Sequence, residues 1–199
     1  MSKPGSERTQ VSRRGFLGMA MGLGAAAVAP SLFFATSSPV FGVPTQDNWR
    51  LCRKCNVLFF NGYPNKGHCP AGGGHAATGD NFVLPHDIAE TRSAQGAWRY
   101  CAKCHAMFFD GYPQKGACPG GGGHAAAGYV FVLPHDIPVR GLVHGDWRFC
   151  NKCHTMFFNG SGNKGRCPAG NGHVAQGFNF VLRFRGNLEN DVNLVPAEG

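Results

Sequence analysis

Nine cysteines and three histidines recur in one spacing, C-x2-C-x13-C-x5-H, three times at a period of 49 residues. The first set is Cys52, Cys55, Cys69 and His75. The second is Cys101, Cys104, Cys118 and His124. The third is Cys150, Cys153, Cys167 and His173, and together the sets use every cysteine of the chain. Three thiolates and one imidazole make a complete tetrahedral shell for zinc, so the spacing predicts three Zn(2+) per chain. The odd number of cysteines per copy argues against disulfides, which would leave one thiol unpaired in each copy and the histidine without a role.

Two other chemistries share parts of the pattern. Cys101-Ala102-Lys103-Cys104-His105 and Cys150-Asn151-Lys152-Cys153-His154 match the attachment motif of a c-type haem. The first copy has Asn56 where that histidine would stand, and haem leaves the third cysteine and the later histidine unused. A metal-dependent hydrolase or a metal-handling protein is the other alternative. Catalytic zinc keeps an open coordination position, whereas each copy here supplies four donors. No paired carboxylates recur, since Asp110 is replaced by Asn61 and Asn159 in the other copies. The balance favours a protein without enzymatic activity.

The elements that must position these donors are β and loop. Trp49, Trp98 and Trp147 open the copies, and Trp49-Arg50-Leu51 reads as a strand entering the Cys-x-x-Cys turn. Val57–Phe60 and Asn81–Leu84 are further strands, rich in residues that suit a pleated surface. Asn61–Gly67 is a turn, and Pro70–His75 is a glycine-rich loop around the ion. Residues 85–97 and 134–146 read as linkers, which makes His86 and His135 of the repeated Leu-Pro-His-Asp-Ile segment linker residues. Lys54, between two cysteines, is placed to offset their charge. His68 and His144 read as solvent-facing. With about five large apolar residues, a copy of roughly 40 residues is too small to hold itself together without a staple such as the metal.

The paired phenylalanines alternate across a strand. One of each pair should enter the core, and the other should face outward or meet the next unit. The outward set, Phe60, Phe109 and Phe158 with Tyr63 and Tyr112, forms a candidate aromatic contact surface.

The Cys-x-x-Cys and Cys-Pro…His knuckles resemble the zinc ribbon over residues 49–84, 98–133 and 147–182. They depart from it in the five-residue spacing of the second knuckle. The Trp-Arg-x-Cys-x-Lys-Cys openings also resemble repeats of uncharacterised secreted bacterial proteins. The resemblance implies an all-β chain of three tandem zinc-ribbon-like repeats, at residues 43–88, 89–137 and 138–199, the last with a C-terminal tail. Threefold repetition equally permits one closed β-trefoil with four short strands per repeat.

Residues 1–42 read as an export signal and linker. Ser12-Arg13-Arg14-Gly15-Phe16-Leu17 resembles the twin-arginine motif, and an uncharged Gly/Ala-rich run follows it. The run's glycines and Pro30 argue against a lasting membrane span in the mature form. The expected location is the periplasm or the extracellular space. The chain carries 19 Lys+Arg and 11 Asp+Glu. Removing Lys3, Arg8, Arg13 and Arg14 on one side and Glu7 on the other leaves 15 and 10, a mature charge of +5. Each Zn(Cys)3(His) centre adds one net negative charge, bringing the loaded protein to about +2, which argues against nucleic acid as partner. Cell-envelope polysaccharide or protein fits the expected location better. The function these readings expect is that of an exported, non-catalytic binding or scaffold module with structural zinc.

Overall fold

The computed structural model describes residues 42–185, and the export-signal reading falls almost wholly on residues outside that range. Among the described residues every regular element is a strand: β1 Thr45–Cys52, β2 Leu58–Phe60, β3 Ala77–Pro85, β4 Ala94–Cys101, β5 Met107–Phe109, β6 Ala126–Pro134, β7 Val143–Cys150, β8 Met156–Phe158 and β9 Ala175–Arg185. Each repeat contributes a long, a short and a long strand, paired antiparallel with the first long strand in the middle. Trp49 sits at the crossing point, opposite Phe60 on one side and Phe82 on the other. Just before it the register shifts at Asn48, whose φ of 64° is the local kink of a bulge. The freed Asn48 carbonyl accepts a hydrogen bond from Asn61 N–H at 2.8 Å, and Ala97 and Asp146 repeat the arrangement.

The expected strands are present and longer than local sequence suggests. β4 and β7 begin inside stretches that read as linkers. Ala94-Gln95-Gly96-Ala97 has no branched or aromatic residue to signal a strand. It is extended because Ala94 and Gln95 pair with Pro134 and Leu133 of β6. Partner pairing, not propensity, decides it.

The three repeats close around a common axis within one compact unit. Phe60 N–H donates to His105 carbonyl, Phe109 N–H to His154 carbonyl and Phe158 N–H to Asn56 carbonyl, each at 2.9 Å. Each repeat is thereby bonded to the next, and the third returns to the first. This axial closure is what the trefoil alternative expected, although three strands per repeat are formed rather than four.

Two layers of core fill the interior. One holds all nine cysteines with Phe59, Phe108 and Phe157. The other holds the three tryptophans with Phe82, Phe131, Phe180 and four leucines. Strand alternation sends Phe59 to the first layer, while Leu58 and Phe60 face the second. In the second layer each tryptophan meets a phenylalanine of the next unit edge-to-face. The ring centroids are 5.1 Å apart for Trp49 and Phe131, and 5.0 Å for both Trp98 with Phe180 and Trp147 with Phe82.

The segments after β3 and β6 act as clasps. Asp87 N–H donates to Val130 carbonyl at 2.8 Å, and its carboxylate accepts from Val130 N–H at 3.1 Å. His86 contacts the same carboxylate at 2.9 Å and stacks on Tyr129 of the second unit at 3.8 Å. His135 and Asp136 do the same onto Phe178 and Asn179. His86 and His135 are therefore buried inter-unit contacts, not free linker residues. The third junction differs: β9 runs on as Arg183-Phe184-Arg185 and pairs with β3, Phe82 facing Phe184. Of the two histidines read as solvent-facing, His68 is exposed yet bonds Lys103 carbonyl, and His144 is paired with Asp80 at 3.3 Å.

A shared core predicts shared unfolding. Trp98→Ala removes a fully buried ring that bridges two units. It should cost about 3–5 kcal/mol, and denaturant unfolding followed by aromatic fluorescence and by strand circular dichroism should remain one coincident transition. Separate transitions, or a protease-resistant single repeat, would refute the common core.

Candidate metal centres

Each four-residue set converges. Cys52, Cys55, Cys69 and His75 offer ligand atoms within 4.8 Å of one another, as do the second and third sets, and all twelve residues are buried. Tetrahedral zinc with its usual bond lengths requires sulfur–sulfur separations of about 3.8 Å and sulfur–nitrogen separations of about 3.5 Å. Cys52 and Cys69 Sγ lie 4.0 Å apart, and Cys101 and Cys118 Sγ 3.9 Å. The histidine Nδ1 atoms stand 3.5, 3.4 and 3.4 Å from Cys55, Cys104 and Cys153 Sγ. No two cysteines are bridged. The donor sets fit three Zn(2+), one per repeat, with Nδ1 as the nitrogen donor.

The local backbone explains the fit. The first knuckle turns between β1 and β2: Cys52 N–H bonds Val57 carbonyl and Asn56 N–H bonds Cys52 carbonyl. The residue after the second cysteine is left-handed in every copy: Asn56, His105 and His154 have φ of 61°, 65° and 62°. The second knuckle absorbs its longer spacing in a tight turn in which Cys69 N–H bonds Gly73 carbonyl and Gly72 N–H bonds Cys69 carbonyl. Gly72 and Gly73, at φ 95° and 58°, take backbone angles costly for most side chains. In the third copy Asn171, a residue tolerant of that region, stands in place of Gly73.

The surroundings complete each centre. Ala76, Ala125 and Val174 N–H donate to Cys52, Cys101 and Cys150 Sγ at 3.5 Å. Phe59 stacks on His75, Phe108 on His124 and Phe157 on His173, each at 4.8 Å. Lys54 donates to Gly72 carbonyl at 2.6 Å, as Lys152 does to Gly170 and Lys103 to Gly121. It ties the two knuckles together, a more specific task than the charge offset expected of it. The apparent haem motifs dissolve in this geometry. Cys101, Cys104, Cys150 and Cys153 are consumed as metal donors, His105 is buried beside Tyr100, and His154 is half-buried beside Phe149.

The donors perturb one another. Hydrogen bonds from Cys55 and Cys69 hold the Cys52 thiol far below the usual thiol range, and those same contacts, with burial, push Cys55 far above it. Burial alone would lower His75, but hydrogen bonding to Cys52 and Cys69 prevails and lifts it to about 9. His124 and His173 are also raised to about 9, again against burial, by Cys101 with Cys118 and Cys150 with Cys167. At neutral pH the imidazole and the Cys55 thiol therefore hold protons that must leave for a cation to bind.

The aromatic candidates lie elsewhere, between repeats. Phe60 and Tyr63 are joined by Tyr100, Tyr129 and Phe131 of the second unit around a cavity of about 300 Å³. Phe109 and Tyr112 meet Phe149, Phe178 and Phe180 of the third unit around about 150 Å³. Phe158 lacks these tyrosine and phenylalanine partners: Ser161, Leu51 and Asp80 hold the equivalent places, and Phe158, packed on Trp147 as Phe60 is on Trp49, meets His144 instead. Tyr100, Tyr129, Phe149 and Phe178 carried no sequence signal, because they come from the neighbouring copy.

Elemental analysis should find three zinc per chain with nine titratable thiols after unfolding under chelation. Apparent zinc affinity, read by chelator competition, should fall steadily as pH drops from 9 to 5, because protons compete for imidazole and thiolate. A flat profile would contradict the donor assignment. Comparison with protein-family models, curated proteins and solved structures finds no match for this chain.

Proposed function

We propose that the chain is an exported, non-catalytic binding module whose zinc is structural and whose contact sites are the two aromatic clefts between repeats. The observation that carries this reading is the exposure of rings the core does not need. Tyr63, Tyr112, Tyr129 and Phe178 are 51%, 50%, 45% and 42% exposed, clustered at the two clefts. Isolated exposed rings are ordinary, but two equivalent clusters around cavities are sites.

The lining suggests the ligand class. It holds aromatic faces, tyrosine hydroxyls and glutamine amides, and no charged side chain. Gln46 and Gln95 are oriented by accepting from Trp49 and Trp98 Nε1 at 3.0 and 3.1 Å, which leaves their amide N–H groups for a ligand. Burial beside Tyr63 pushes the Tyr100 phenol up to about 12, so it stays neutral. Aromatic faces with neutral donors and acceptors suit the alternating apolar and hydroxylated faces of a sugar ring. A neutral glycan of the cell envelope is the partner these features favour, and two linked clefts would strengthen a weak contact by avidity.

Four protein donors fill the tetrahedral shell and leave no coordination position for a water nucleophile, which supports a structural role for the metal. Export by the twin-arginine route fits the same chemistry. Such export carries folded proteins, so zinc would enter the thiolates before an oxidising compartment is reached.

Calorimetry of the zinc-loaded chain against neutral and acidic envelope oligosaccharides tests the reading. The neutral ones should bind, and Tyr63→Ala or Tyr112→Ala should each weaken binding about tenfold, the value of one aromatic contact, with zinc content unchanged. Absence of glycan binding by the loaded wild-type chain would dismiss it.

A further inference from the structure

His124 and His173 each give one ring nitrogen to their own centre and direct the other into the next repeat. His124 Nε2 lies 3.0 Å from Cys153 carbonyl oxygen, and His173 Nε2 lies 3.1 Å from Cys55 carbonyl oxygen. With Nδ1 on the metal side, Nε2 carries the proton and donates. His75 Nε2 is buried without a partner, while the Cys104 carbonyl is seated on Gly67 as Cys153 is on Gly116 and Cys55 on Gly165.

We infer that the three centres form a single cooperative metal-binding unit. Cys153 and Cys55 serve twice: the Sγ of each is a donor in its own centre, and its carbonyl orients the histidine of the preceding repeat. The dependence is directional, the second centre leaning on the third and the third on the first. The backbone next to these cysteines is pinned from the same side, since Phe60, Phe109 and Phe158 N–H bond the carbonyls of His105, His154 and Asn56. All nine cysteines also share one buried layer. A repeat whose donors are not gathered by metal presents neither a placed carbonyl to its neighbour's histidine nor a neutralised wall to the shared layer. The first ion therefore raises the affinity for the next. Hydrogen bonds that orient a ligand histidine are worth about 10- to 100-fold in metal affinity, enough to make partly loaded species a minority.

Native mass spectrometry of the reduced, metal-free full chain titrated with zinc tests this. At one zinc per chain, zinc-free and three-zinc species together should dominate, with one- and two-zinc species together under roughly two-fifths, against about two-thirds for independent centres. A statistical spread led by the one-zinc species overturns the inference. Gly116→Ala gives an independent reading, because it removes no donor but places a methyl against the Cys153 carbonyl that receives His124. All three zinc ions should then pass to a chelator faster by one common factor, about tenfold. Gly162→Ala, in open space, should release zinc at the wild-type rate. Acceleration of one ion alone in Gly116→Ala shows independent centres and overturns the inference. The titration needs no variant and decides the matter if Gly116→Ala does not fold.

Discussion

Nine thiols and three imidazoles are buried in three neighbouring sets, and their charge is the constraint to which the rest of the molecule answers. A thiolate taken out of water with no cation is strongly unfavourable. Nine protonated thiols would instead form a soft layer with little to set their geometry. A zinc ion in each set resolves this, with a binding free energy on the order of 10 kcal/mol or more, as large as the stability of an ordinary small domain. Each repeat can then be short, glycine-rich and poor in large apolar residues, because its centre is held by coordination.

Coordination alone would give three beads. The single body comes from where each repeat places its surplus surface. Phe59 and its equivalents stack on their own ligand histidines, whereas Trp49, Trp98 and Trp147 pack against phenylalanines of the following repeat. No repeat can bury its tryptophan by itself. Backbone bonds from Phe60, Phe109 and Phe158 and carbonyl acceptors for His124 and His173 run in that same sense. Metal layer and tryptophan layer are thus closed by one rotation.

Departures from threefold symmetry mark where structure and function part. The metal donors, tryptophans and axial phenylalanines are the same in all copies, because every copy meets the same geometric demand. The outer rings are not. Tyr63 and Tyr112 give way to Ser161, and the third junction is closed by β9 with Phe184 and by the Arg185–Asp47 ion pair at 3.1 Å. Two junctions carry an aromatic cleft, and the third is joined by the pairing of β3 with β9.

Much of this was legible in the residues alone. The donor set was readable because a metal imposes identities and spacings within one repeat: Cys52, Cys55, Cys69 and His75 stand close in sequence as well as in space. The all-β character was readable because Val57–Phe60 and Asn81–Leu84 carry local preferences. What crosses from one repeat to the next was not readable. His86 and His135 looked like linker residues, β4 and β7 looked shorter, and Tyr100 and Tyr129 raised no signal. A sequence records which residues neighbour one another along the chain, but these contacts depend on the angle at which the units meet. That angle is set by the packing of both core layers at once, so only the tertiary structure decided that three metal centres share one core, which nitrogen of each histidine faces the metal, and which two junctions carry an aromatic cleft.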